Sequence, residues 1–162
     1  MYGIIATWRM ALEGISKADS MLKNNESAAD SIEEAIKAVE DFEYYKSVGY
    51  GGLPNEEMEV ELDAAFMDGD TLEFGCVGGI KDFANPVSIA RSLMHYDANN
   101  FLIGQGAEKY ASRHGFERKT MLTDRAKIHY HNRTKEITNT ELKPYSGHDT
   151  VGMVCLDTAG HM

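Results

Sequence analysis

A threonine at the head of an apolar run is the residue of this sequence best placed for covalent chemistry. Gly147-His148-Asp149-Thr150 is polar and turn-like, and Val151-Gly152-Met153-Val154-Cys155-Leu156-Asp157 follows it with the composition of a buried strand. If the chain is cut before Thr150, the new terminal residue carries a hydroxyl nucleophile and an α-amino group that can serve as its base. A plainer reading also fits the tetrapeptide: a threonine that opens a strand after a turn. The remainder of the chain has to decide between them.

Other chemistry-bearing residues offer less. The pair His129 and His131 is spaced by two, so on a helix the rings point apart and cannot chelate one ion. His95 and His114 fall near expected helix ends, where a cation suits the dipole. His148 alone stands beside a candidate reactive residue, and no metal is expected. The acidic residues between positions 56 and 63 alternate along a strand pattern, which reads as a solvated face rather than converging ligands. Ser47-Val48-Gly49-Tyr50-Gly51-Gly52-Leu53-Pro54 follows a helix pattern and precedes a strand, the wrong order for a nucleotide-phosphate loop. It is either a pocket wall or a tight connection. Gly104-Gln105-Gly106 lacks the third glycine of a dinucleotide fingerprint.

Composition narrows the setting. The 162 residues are 43% apolar, enough for one domain with a core. A formal charge of -10 leaves no basic stripe for nucleic acid, and no apolar run approaches a membrane span. The start of the chain has no basic segment before its first apolar run, so no secretory leader is expected. Cys76 and Cys155 match no zinc spacing and cannot make a disulfide framework. A cytoplasmic location follows as the expectation.

The elements that would carry these residues are mixed. Residues 3–7 read as a short buried strand; Ala11, Ile15, Ala18 and Leu22, then Ala28, Ile32, Ala35 and Val39, fall at helical spacing. Ser27 caps the second helix, with Asp30 three residues on. Val60, Leu62, Ala64 and Phe66 alternate with polar neighbours, Asp68-Gly69 turns the chain, and residues 72–80 return it as a hairpin. Asn85-Pro86 starts a helix that buries Val87, Ala90 and Leu93 or Met94. Phe101-Leu102-Ile103 precedes another helix that ends near His114-Gly115, and Thr123 caps one more.

Taken in order, Thr7-Trp8, Ser47 to Gly52, Leu62-Asp63-Ala64 with Met67-Asp68-Gly69, Asn85-Pro86 with Ala90-Arg91, and His148-Asp149-Thr150-Val151-Gly152-Met153 resemble glycosylasparaginase, a family of N-terminal nucleophile hydrolases. The resemblance implies an α+β fold, the αββα four-layer sandwich, of which this chain holds the N-terminal part. It implies a precursor that cuts itself between Asp149 and Thr150 by an N-to-O acyl shift. Thr150 would be the catalytic nucleophile against the side-chain amide of a glycosylated or free asparagine. Asp149 would assist processing with His148 in support, and Trp8 and Ser47 would line the substrate pocket. No cofactor is implied, and the complete enzyme would be a homo-oligomer of αβ units. A related branch of plant-type asparaginases and isoaspartyl peptidases usually has Gly before the nucleophile, so Asp149 and Trp8 favour the glycosylasparaginase branch.

On this reading residues 1–149 correspond to the α subunit, with 136–148 a flexible linker, and 150–162 to the start of a truncated β subunit. The substrate-holding arginine, aspartate and oxyanion-hole donors of the family would lie beyond Met162. The isolated chain is therefore expected to be inactive, since losing an oxyanion hole costs several kcal/mol. The alternative is a non-catalytic homologue that acts as a structural or interaction protein.

Overall fold

The computed structural model describes the backbone of residues 1–139 and 150–162, and the side chains of all of these but 136–139. Five strands and five α-helices are described: β1 (Gly3–Ala6), α1 (Leu12–Lys23), α2 (Ala28–Glu40), β2 (Glu61–Met67), β3 (Phe74–Lys81), α3 (Pro86–Leu93), β4 (Phe101–Ile103), α4 (Gly104–Arg113), α5 (Asp124–Asn139) and β5 (Met153–Leu156). The segment expected as a linker, 136–148, overlaps the last turn of α5 and otherwise lies outside the described residues.

Two sheets form. β1 and β5 pair antiparallel with Gly3 opposite Leu156 and Ala6 opposite Met153. β2, β3 and β4 form the other, β2 antiparallel and β4 parallel to β3, with an irregularity between Leu62 and Ala64. Helices α1 and α2 pack on each other, α1 against β1 and α2 against β5, while α3 and α4 pack on the three-stranded sheet. This is a mixed helix-and-sheet architecture.

The alternation read from the β2 sequence places Val60, Leu62 and Phe66 in the main core with Val77, Ile80, Phe83, Ile89 and Leu93. Leu22, Ala28 and Cys155 form a smaller core under β1 and β5. Partly buried Ile32 of α2 packs against both, so that helix is the seam between the two sheets. Close approach is built from glycine: a Cβ at Gly14 would overlap the Ala35 carbonyl across α1 and α2, and one at Gly75 the Ala90 carbonyl across β3 and α3.

Helix starts follow local chemistry. Ser27 Oγ accepts from Asp30 N at 3.0 Å and Thr123 Oγ1 from Ala126 N at 3.2 Å, as the caps predict. Asn85 holds the N-cap position of α3, but with φ 47° and no side-chain cap bond. Its amide instead reaches Asp41 Oδ1 at 3.1 Å, and the first orphan N–H of α3 finds another partner described below. Gly115, at φ 77°, ends the turn after α4 as expected.

The end of β5 is tied down by one carboxylate. Asp157, buried, accepts from Ala28 N at 3.1 Å, Ala159 N at 2.9 Å and His161 N at 3.0 Å. Burial alone would raise its pKa, but these three donors hold it below the usual carboxylate range. Ser31 of α2 is the opposite case, fully buried with its Oγ unpartnered. Ser31→Ala removes that unsatisfied hydroxyl and is expected to raise unfolding free energy by about 1 kcal/mol, read from urea denaturation.

Candidate active site

The C-terminal end of α2, the loop after it, β2, the start of α3 and the residues entering β5 enclose a cavity of about 440 Å³. Thr150 and Ser47 both line it, together with Glu40, Gly49, Asp63 and Val87. Fold topology, not sequence proximity, makes this site, because Thr150 and Ser47 arrive from opposite ends of the chain.

Thr150 is exposed and lies three residues before β5. Thr7 sets its course. Thr7 N donates to Gly152 O at 2.9 Å, and Gly152 N donates to Thr7 Oγ1 at 2.8 Å. The same hydroxyl lies 3.4 Å from the carbonyls of Thr150 and Gly152, to which it donates. This clasp continues the β1–β5 pairing past Ala6 and fixes the backbone on which the Thr150 side chain rides. Thr7→Val keeps the shape and deletes the hydroxyl. It is expected to slow any Thr150-dependent chemistry about 10-fold or more while costing the fold about 1 kcal/mol. The rate and the denaturation midpoint measured on one preparation separate the two effects.

Ser47 rides on the glycine-rich loop, which serves as both pocket wall and tight connection. Gly49 and Gly51 have φ of 61° and 83°, and a Cβ on either would overlap the backbone of Glu40 or Glu43. Tyr50 N donates to Glu40 O at 2.7 Å, Gly51 N to Met121 O at 2.9 Å and Leu53 N to Lys46 O at 2.7 Å. The loop is pressed against the end of α2 and held there.

Glu40 is the most unusual ionisable group of the site. Only 3% exposed, it accepts at Oε1 from Val87 N at 3.2 Å and at Oε2 from Asn85 Nδ2 at 3.4 Å. It thus caps α3 in place of the Asn85 side chain. Burial pushes its carboxyl up to about 8 against those two hydrogen bonds, with the charges of Asp41 and Glu33 adding to the rise. The acids in and just before β2 behave as a solvated face: Lys81 pairs with Glu59 at 2.5 Å and Glu61 at 3.7 Å, and Asp63 accepts from Gly79 N at 2.8 Å. Among the described residues, no three His, Cys, Asp or Glu side chains converge as a metal set.

Of the residues singled out in the sequence, the structure thus brings Thr150 and Ser47 to one cavity. Trp8 follows the Thr7 clasp at φ 63°, 48% exposed, and is not among the residues that line that cavity. A tryptophan in the left-handed region is backbone strain held by its surroundings, a feature that concentrates at functional sites. His148 and Asp149 lie outside the described residues. Sequence reasoning missed Glu40 and the role of Thr7. Glu40 could have been noticed as an acid continuing the Ile32–Ile36 stripe at i+4 spacing.

Comparison with known proteins gives the family. The chain belongs to the asparaginase family, whose profile matches residues 6–162. It is 31% identical over 159 residues to the N(4)-(beta-N-acetylglucosaminyl)-L-asparaginase of Elizabethkingia miricola, covering 98% of this chain and 46% of that protein. It is 34% identical over 157 residues to the isoaspartyl peptidase/L-asparaginase of Rattus norvegicus, covering 93% and 47%. The plant-type L-asparaginase of Pyrococcus horikoshii is 42% identical over 98 residues, 60% of this chain and 32% of that protein. Both branches of the family are therefore represented, at comparable identity. The chain spans about half the length of the curated relatives it matches.

Proposed function

We propose that this chain is the nucleophile-bearing part of a threonine amidohydrolase acting on the side-chain amide of asparagine or a substituted asparagine. The observation that carries the proposal is the meeting of Thr150 and Ser47 on one cavity, in a chain of the asparaginase family. Cleavage between Asp149 and Thr150 frees the α-amino group. Chain-terminal amines ordinarily titrate at roughly 8, so a good fraction is neutral near physiological pH and can take the hydroxyl proton. The hydroxyl oxygen then attacks the amide carbon, the amine departs with the proton, and water releases aspartate from the ester.

The remaining roles are assigned on the same footing. Asp149 assists the processing step, with His148 in support, and Trp8 and Ser47 hold substrate. The four-layer sandwich is completed by further strands in the cleft of about 920 Å³ that runs between α2, β2, β3 and β5. The working enzyme is an oligomer of αβ units, and the free thiols of Cys76 and Cys155 suit a cytoplasmic setting. Among the described residues no helix is long and apolar enough to cross a membrane. The 162 residues alone are expected not to turn over substrate, since the cavity's acids Glu40, Glu61 and Asp63 offer no grip for an α-carboxylate.

The experiment is incubation of the purified chain followed by mass spectrometry and N-terminal sequencing, then aspartate release from asparagine and aspartylglucosamine by the full-length product. A new terminus at Thr150 with amide hydrolysis supports the reading. An uncut, inactive full-length product refutes it.

A further inference from the structure

Three walls of the Thr150 cavity meet on one residue. Glu40 ends α2, its main-chain carbonyl receives Tyr50 N of the Ser47 loop, and its carboxyl receives Val87 N at the start of α3. Gly49 packs so closely on the Glu40 backbone that a Cβ has no room. Glu40, Ser47, Gly49, Val87 and Thr150 all face the same space. Glu40 joins the loop through its main chain and the start of α3 through its carboxyl, so where the carboxyl sits bears on how the two are held around the cavity.

We propose that Glu40 is a positioning residue of this site, a proton-dependent clamp that holds the Ser47 loop and the start of α3 around Thr150. It acts through its neighbours rather than on the reacting atoms. In the protonated form the buried carboxyl stays between Val87 N and Asn85. Loss of the proton places a negative charge on a buried carboxyl with other acids nearby, and water must reach it to solvate it. The charged groups on the packed elements are Glu33 and Asp41 of α2 and its exit, Lys46 beside Ser47, Arg91 of α3, and Glu61 and Asp63 of β2. Arg91 is engaged by Asp30 at 2.7 Å and by Glu33, so its charge is already spent outside the cavity. Opening of the clamp should therefore accompany ionisation, which burial has moved up to about 8.

The activity arm of this inference rests on the amidohydrolase reading; its structural arm does not. The structural arm follows the amide signals of Gly49 and Val87 in the 162-residue chain by NMR from pH 5 to 9.5. Both should titrate together, well above the ordinary carboxylate range, and the transition should vanish in Glu40→Gln. The activity arm compares kcat/KM profiles of the processed full-length enzyme. Wild type should give a bell, rising as the Thr150 amine loses its proton and falling as Glu40 does. Glu40→Gln should keep activity at neutral pH within about 3-fold and lose the alkaline fall. Glu40→Ala, with no acceptor for Val87 N, should be lowered at every pH.

Amides that do not titrate, or that titrate equally in Glu40→Gln, overturn the clamp. So does a wild-type bell unchanged by Glu40→Gln. An inactive wild type instead refutes the proposed function, and the amide titration then decides on the clamp by itself.

Discussion

Thr150→Ala should leave the full-length product in one piece and reduce aspartate release from asparagine derivatives by at least about 10³-fold. The alanine keeps the backbone that Thr7 clasps, because those bonds run to the carbonyls of Thr150 and Gly152 and from the Gly152 amide. The fold should be unaffected, since the Thr150 side chain is exposed. Thr150→Cys is the informative companion: a thiol can make the same acyl shift, so processing should survive where amide hydrolysis falls. Gel analysis gives the first result and an aspartate assay the second. Cleavage that persists in the alanine variant would remove Thr150 from the processing step.

The second large effect concerns stability. Glu40 binds a proton in the fold up to a pH of about 8, whereas a glutamic acid in the unfolded chain lets it go near its ordinary value of 4.5. Between these values the folded chain carries the extra proton, so stability falls as pH rises. The contribution is fully present below about pH 4.5, declines steadily, and is gone above about pH 8. Its ceiling is on the order of 4–5 kcal/mol. His161 shifts in the same direction because Asp70 lies 2.7 Å from its Nδ1, so wild type alone does not isolate the effect of Glu40. The comparison with Glu40→Gln does. The variant should match wild type near pH 5 and unfold at clearly higher denaturant concentration at pH 9. Parallel midpoints across that range would show that Glu40 ionises normally.

Local chemistry makes much of the frame legible in the sequence. The Ser27 and Thr123 caps, the β2–β3 hairpin and the glycine after α4 each depend on residues within a few positions of one another. Long-range groups are not legible in this way. Asn85 reads as an ordinary cap, yet its amide is drawn away by Asp41, 44 residues earlier, and α3 is capped by Glu40, 47 residues before Val87. An acid in the last turn of a helix reads as solvent-facing until a distant helix start is known to sit on it. Thr7 is visible as part of a motif, but its partners at positions 150 and 152 are set by the β1–β5 pairing. The glycine-rich loop leaves two readings open because a wall and a connection demand the same left-handed glycines.

The clasp at Thr7 and the anchor at Asp157 bracket β5 from both ends. A scission just upstream of Thr150 would thus be a nick without release. The severed segment keeps its ladder to β1, its hydroxyl bridge at one end and its hold on the start of α2 at the other. Two pieces on a denaturing gel would still migrate as one particle under native conditions. The freed threonine would stay where the chain had left it, able to change its chemistry without changing its address.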